Sequence, residues 1–184
     1  MSGTEGLTSS KDGRSGNARA AFVEGDFVVY PNHGAGRVIG IEEKTVLGEA
    51  RRYYVVYLPD AELTVSVPAD VEVGLRACTD EDSVAKALAL LGAGATRMPP
   101  NWNRRLKHNQ EKIRSGEISQ VAEVVRNLSA YDAEHGLSTG GRNLLVKARQ
   151  IFASEIALVR NIEVAEAEKL VDGVLSAGAG GGAE

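Results

Sequence analysis

Trp102 is the chain's only tryptophan, and Arg104, Arg105 and Lys107 follow it closely. A large flat aromatic beside clustered cations is suited to meeting nucleic acid. The cations neutralise phosphates, and the ring can act as an apolar wedge in a groove or take the place of a stacked base. The local pattern also says how these side chains are presented. Pro99 and Pro100 force an extended approach and forbid helix just before it. Asn101 then fits an N-cap, and no breaker intervenes until Ser115-Gly116, so Trp102 opens a basic helix. The same residue types also fit a structural use, because tryptophan is usually mostly buried and basic runs are commonly solvated faces.

Other chemistry finds little support. Gly136-Leu137-Ser138-Thr139-Gly140 matches the pattern of a hydrolase nucleophile elbow, but a charged amphipathic helix precedes it where a strand is required. All three histidines, His33, His108 and His135, come before the serine, so Ser138 reads as a helix N-cap. Gly34-Ala35-Gly36 lacks the third glycine and the following helix of a dinucleotide fold and reads as a β turn. There is no Walker A sequence, and Asn127-Leu128-Ser129 falls mid-helix. With Cys78 as the single cysteine and the histidines widely spaced, no disulfide framework, metal cluster or cofactor site is expected, and no catalytic constellation is visible.

The chain has 184 residues, 43% of them hydrophobic, enough for one domain or two small ones. Its formal net charge is −4, so any nucleic-acid contact must be local rather than a matter of bulk charge. The N-terminal residues lack an apolar targeting core, and no run approaches the roughly 20 residues needed to span a bilayer. A reduced, soluble, cytoplasmic protein without membrane contact is expected.

Residues 1–21 hold Gly, Ser, Thr and charge with little to bury and read as a disordered tail. Short β runs follow at Asp26–Tyr30, Gly36–Glu42, Arg52–Leu58 and Leu63–Pro68, joined by turn clusters such as Pro31-Asn32-His33-Gly34 and Pro59-Asp60. Near Thr79 the hydrophobic period switches from 2 to 3.6. Val84, Ala87, Leu88 and Leu91 mark one helical face; Ile118, Val121, Ala122, Val125 and Leu128 mark a second. Leu144, Ala148, Ile151, Phe152, Ile156 and Val159 mark a third, and Val164, Ala167, Val171 and Val174 a last helix before a Gly/Ala tail. The expected fold is α+β: a small antiparallel Tudor/SH3-like β module over 22–76, a compact all-α domain over 77–176, and a flexible tail over 177–184.

The stretch Gly25-Asp26-Phe27-Val28-Val29-Tyr30-Pro31-Asn32-His33-Gly34 resembles the opening of the CarD family of bacterial transcription regulators. The likeness continues through Tyr53-Tyr54-Val55-Val56, Leu63-Thr64-Val65 and Val67-Pro68. It is strongest at Asn101-Trp102-Asn103-Arg104-Arg105, Lys107 and Glu111-Lys112, and runs on through Ser115-Gly116, Val121–Arg126, Gly136-Leu137-Ser138 and Lys147-Ala148-Arg149. It covers about residues 22–176 in the right order and spacing.

That resemblance implies an N-terminal RNA-polymerase-interacting module, similar to the one in transcription-repair coupling factors. Such a module docks on the polymerase β subunit partly by strand-edge pairing, through positions matched here by Lys44, Val46 and Ser66. It further implies a helical domain on promoter DNA at the upstream edge of the transcription bubble. Trp102 matches the family's minor-groove wedge, and Arg104, Arg105, Lys107 and Arg142 match backbone-contacting positions. Ser66 departs from the basic residue often found at its place, and the N-terminal tail is longer than usual. The implied protein is a non-enzymatic, monomeric, promoter-associated regulator that stabilises the open promoter complex. The rival readings are an independent DNA-binding repressor, a protein–protein adaptor without DNA contact and, through Ser138, a serine hydrolase.

Overall fold

The computed structural model describes residues 22–70 and 74–180. The expected tail over 1–21 and the last four residues of the expected Gly/Ala tail lie outside the described residues. The architecture is α+β, with an antiparallel sheet first and five helices after it.

The sheet contains β1 (Phe27–Tyr30), β2 (Gly34–Val46), β3 (Glu49–Leu58), β4 (Leu63–Pro68) and β5 (Arg76–Ala77), in the order β4-β3-β2-β1-β5. Glycine lets β2 fit. A Cβ on Gly36 would stand 2.4 Å from the Tyr57 carbonyl oxygen, and one on Gly34 would stand 2.8 Å from Ser154 Oγ. Gly34-Ala35-Gly36 therefore begins a strand rather than forming the turn expected of it; the turn is Pro31–His33. Between Val38 and Gly40 the register with β3 shifts at a bulge, which bends the strand and increases its twist. Beyond the bulge, β2 and β3 run on as a long hairpin closed by Leu47 and Gly48, both with positive φ, as a tight two-residue hairpin turn requires. Val28, Val38, Tyr54, Val56 and Leu58 form the module's own core.

The helices are α1 (Glu81–Gly92), α2 (Trp102–Ser115), α3 (Ile118–His135), α4 (Thr139–Arg160) and α5 (Val164–Gly180). Their starts are chemically marked. Asp80 accepts from the Ser83 N–H, Asn101 from Arg104 N–H and Ser138 from Gly141 N–H, so three orphan donors are satisfied. The last helix continues to Gly180, four residues into the stretch expected as a tail. Val84, Leu91, Val124, Leu128, Phe152 and Ile156 are fully buried in the bundle core, each contributing about 1.5–3 kcal/mol relative to exposure.

Sheet and bundle meet along α4. Ala35 N–H donates to Ser154 Oγ at 3.0 Å. Next to it, Glu155 is buried and accepts both Arg76 guanidinium nitrogens at 2.7 Å, plus the Thr79 N–H at 3.1 Å. Arg76 Nε donates to the Gly116 carbonyl at 2.6 Å. One side chain at the sheet edge thus ties the end of α2 to the middle of α4. Burial and, after it, the Glu155 charge push the nearby Cys78 thiol up to about 12.

Candidate nucleic-acid interface

The approach to α2 is held by a buried polar network. Arg126 and Asn127, both on α3, meet the loop after α1. Arg126 donates to the Leu90 carbonyl, to Thr96 Oγ1 and to Asn127 Oδ1, while Asn127 accepts from Thr96 N–H at 2.9 Å and donates to Thr96 Oγ1 at 2.8 Å. Thr96 Oγ1 also lies 3.2 Å from Glu123 Oε1, and Glu123 pairs with Lys112 at 2.5 Å. The hydrogen bond from Lys112 holds the Glu123 carboxyl below its ordinary range, against the opposing effect of burial. These bonds tie the Ala95–Pro100 segment to the bundle, so Trp102 starts from a fixed point.

Trp102 is half-buried. One edge of the indole rests on the first turn of α4, where a Cβ on Gly140 or Gly141 would come within 3.4 Å of ring carbons. The paired glycines make a flat seat that leaves part of the ring outward. Arg142, the next residue after that seat, is exposed, as is Arg104 on α2. Among the described residues no carboxylate lies within ion-pair distance of either. Lys107 is 80% exposed and is only loosely paired with Glu111, at 3.9 Å. Exposed cations on α2 (Arg104, Lys107) and just past the glycine seat on α4 (Arg142) are chemically suited to meeting phosphates near an aromatic edge.

Arg105 differs from its neighbours. It is 7% exposed and faces the bundle with Asn109 and Ile113 at helical spacing. Nη1 donates to the carbonyls of Pro99 and Pro100, both at 3.2 Å. Its guanidinium lies 4.3 Å from the Tyr131 ring centre and 5.7 Å from the Trp102 ring centre. The expectation that Arg105 meets a phosphate is therefore at odds with its placement: carbonyls and rings already occupy it, and it braces the indole from within. Tyr131 and the glycine seat carried no signal of their own in the sequence. A tyrosine near a helix end and a Gly-Gly pair after an N-cap are both commonplace.

The positions expected to meet polymerase, Lys44, Val46 and Ser66, fall on the sheet's outer end. Lys44 Nζ donates to Ser66 Oγ at 3.1 Å, pairs with Glu42 at 3.0 Å, and lies 5.5 Å from the Tyr53 ring centre. Val46 is two residues further along β2, on the same face, beside the fully exposed Leu47 at the hairpin tip. Lys44 and Ser66 thus belong to one exposed cluster across β2–β3–β4, and Val46 extends it. Ser138 is occupied as the α4 cap. Asn127 is buried within the network already described. No described helix is long and apolar enough to cross a membrane. Among the described residues no group of three or more His, Cys, Asp or Glu could hold a metal.

Comparison with known proteins places both halves of the chain in one family. Residues 22–76 match the family model described as the CarD-like/TRCF RID domain, RID denoting an RNA-polymerase-interacting domain. Residues 86–172 match the model for the CarD C-terminal domain. The Bacillus subtilis (strain 168) protein named "Putative transcription factor YdeB" is 34% identical over 143 residues, spanning 77% of this chain and 94% of that protein. With both halves matched in order and a relative covering most of its length, the chain belongs to the CarD family of transcription regulators.

Proposed function

We propose that this protein tethers itself to the RNA polymerase β subunit through the β module and holds promoter DNA open at the upstream edge of the bubble with Trp102. The observation that carries the reading is the partly buried indole on its glycine seat, with Arg104 and Arg142 exposed on the two helices that meet there and, among the described residues, no acid within ion-pair distance of either. In this reading Arg104, Lys107 and Arg142 meet sugar–phosphate backbone, and Trp102 enters the minor groove. Arg105 positions the indole and does not touch DNA. Lys44, Val46 and Ser66 form the polymerase face. The protein acts as a monomer in the cytoplasm, at promoters.

The energetics fit a modest, general effect. Each step that recloses regains about 1–2 kcal/mol of stacking. A protein that binds the open form better than the closed form shifts the balance by that difference alone. A wedge that occupies only an opened fork supplies such a difference. The minor groove carries little sequence information, so the effect extends across promoters. Tethering to polymerase raises local concentration and offsets the weak grip expected of a chain with net charge −4.

The test is the half-life of open complexes formed by purified polymerase, challenged with a competitor, with and without the protein. A severalfold longer half-life is expected. An unchanged half-life together with a footprint on naked DNA would favour an independent repressor; retention by polymerase with no effect on DNA would favour an adaptor.

A further inference from the structure

The helices α2 and α4 lie side by side in the same direction. Trp102 at the start of α2 rests on Gly140 and Gly141 at the start of α4, while the Gly116 carbonyl beyond α2 and the Glu155 carboxylate on α4 both bind Arg76. Between the helices runs a groove of about 550 Å³. Its floor is Leu106, Ile113 and Leu144; its rim carries Gln110, Arg114, Asn143 and Lys147, with Asn32 of the β1–β2 turn at one end. Gly140, which touches the indole, also lines it, so the groove is continuous with the Trp102 site. Arg114 and Lys147 are exposed and face each other across it, and among the described residues neither has a carboxylate within ion-pair distance.

We propose that this groove is a second stretch of DNA-binding surface, in which Arg114 and Lys147 seat the sugar–phosphate backbone of one strand of the duplex adjoining the fork. The inference rests on the reading of Trp102 as the wedge and extends it. Unpaired cations facing across a polar-rimmed groove suit a chain of phosphates, and the side-chain amides of Gln110, Asn143 and Asn32 can donate to phosphate and sugar oxygens. No aromatic ring lines the groove, so it offers no platform for stacking unpaired bases. A backbone strand therefore fits it better than extruded bases do. The twelve helical steps from Trp102 to Arg114 span about 18 Å, which matches about five base pairs of duplex. Asn32, Asn143 and Lys147 also line an adjoining cavity that holds the acidic Asp60 of the β module, and among the described residues Asp60 is not within ion-pair distance of Lys147.

The experiment uses the full chain at low salt and two fluorescent forked DNAs, one with about twelve and one with about three base pairs of duplex beyond the fork. Arg114→Ala/Lys147→Ala is expected to weaken binding to the long-duplex fork severalfold and to lower its salt slope by about two, leaving the short-duplex fork unchanged. Its melting temperature should match wild type, since among the described residues neither side chain has an ion-pair or hydrogen-bond partner to lose. Trp102→Ala should weaken both forks alike, which separates the groove from the wedge. Equal affinity and slope of wild type and double variant on the long fork would overturn the proposal. So would a loss confined to polymerase binding without DNA, which would mark the groove as a protein-docking face. If Trp102→Ala has no effect on either fork while the double variant does, the wedge reading fails and the groove stands.

Discussion

Arg105 supports Trp102 from inside the protein: its guanidinium lies 5.7 Å from the indole centre while Nη1 holds the carbonyls of Pro99 and Pro100. Arg105→Ala strands two carbonyls and removes one brace, so a loss of about 1–3 kcal/mol in stability is expected. Trp102 is the chain's one tryptophan, so its emission reports the seat directly. The variant should show shifted emission and faster indole motion, and Arg105→Lys should not restore either, because a lysine cannot span two carbonyls and two rings in one plane. A variant with unaltered stability and emission but a lower salt slope on DNA would instead make Arg105 a phosphate contact.

Lys44 and Ser66 form one cluster through a 3.1 Å hydrogen bond on the face assigned to polymerase. Lys44→Glu places a second acid beside Glu42 and should cut retention by immobilised core polymerase at least severalfold. DNA affinity at low salt, which we assign to the α2–α4 end, should stay the same. Undiminished retention would remove Lys44 from the polymerase face.

Glu155 is the buried partner of Arg76 and fixes the sheet against α4. Truncating one member of such a pair leaves the other charge uncompensated, so Glu155→Ala should cost about 3 kcal/mol in chemical denaturation, less if Arg76 turns to solvent. Arg76→Met/Glu155→Leu should recover much of that loss, which would show that the cost lies in the orphaned arginine.

Glu123 carries a pH signature. Its carboxyl in the folded state lies below the ordinary value of 4.5, chiefly because Lys112 donates to it. As pH falls the unfolded chain therefore takes up the proton first. The stabilising contribution is whole above the ordinary value and fades as pH drops through the folded value. Glu123→Gln should be less stable than wild type near neutrality, with the gap closing in thermal melts as pH falls through and below the ordinary carboxylate range. A gap independent of pH would show that Glu123 acts by packing alone.

The parts of this architecture that repeat along the chain were legible beforehand. Alternation at Leu63–Pro68, the caps at Asn101 and Ser138, and the faces of α1, α3 and α4 each follow from local periodicity and local hydrogen bonding. What needed the fold was everything set by distant partners. The two-residue strand β5 exists because Arg76 and Ala77 lie against Val29 and Val28, and nothing in two residues announces that. The long arm of β2 past Glu42 is largely exposed and polar, so it lacks a burial pattern to read. Within the candidate interface, Trp102, Arg104 and Lys107 stood out by type and spacing, whereas Arg142 was indicated only by the family resemblance. The inward turn of Arg105 did not, because arginine is mostly exposed, and only the prolines' carbonyls and Tyr131 make its burial tolerable. Arg114 and Lys147 are far apart in sequence and face one another only because α2 and α4 run together.

The most direct measurement is open-complex half-life with wild type, Trp102→Phe and Trp102→Ala, each at saturating concentration on polymerase. Because the indole is half-buried, Trp102→Ala should cost about 1–2 kcal/mol in stability and leave the chain folded and polymerase-bound. The half-life should fall to that of polymerase without the protein, with Trp102→Phe in between. A folded, polymerase-bound Trp102→Ala protein that still lengthens the half-life as wild type does would contradict the wedge.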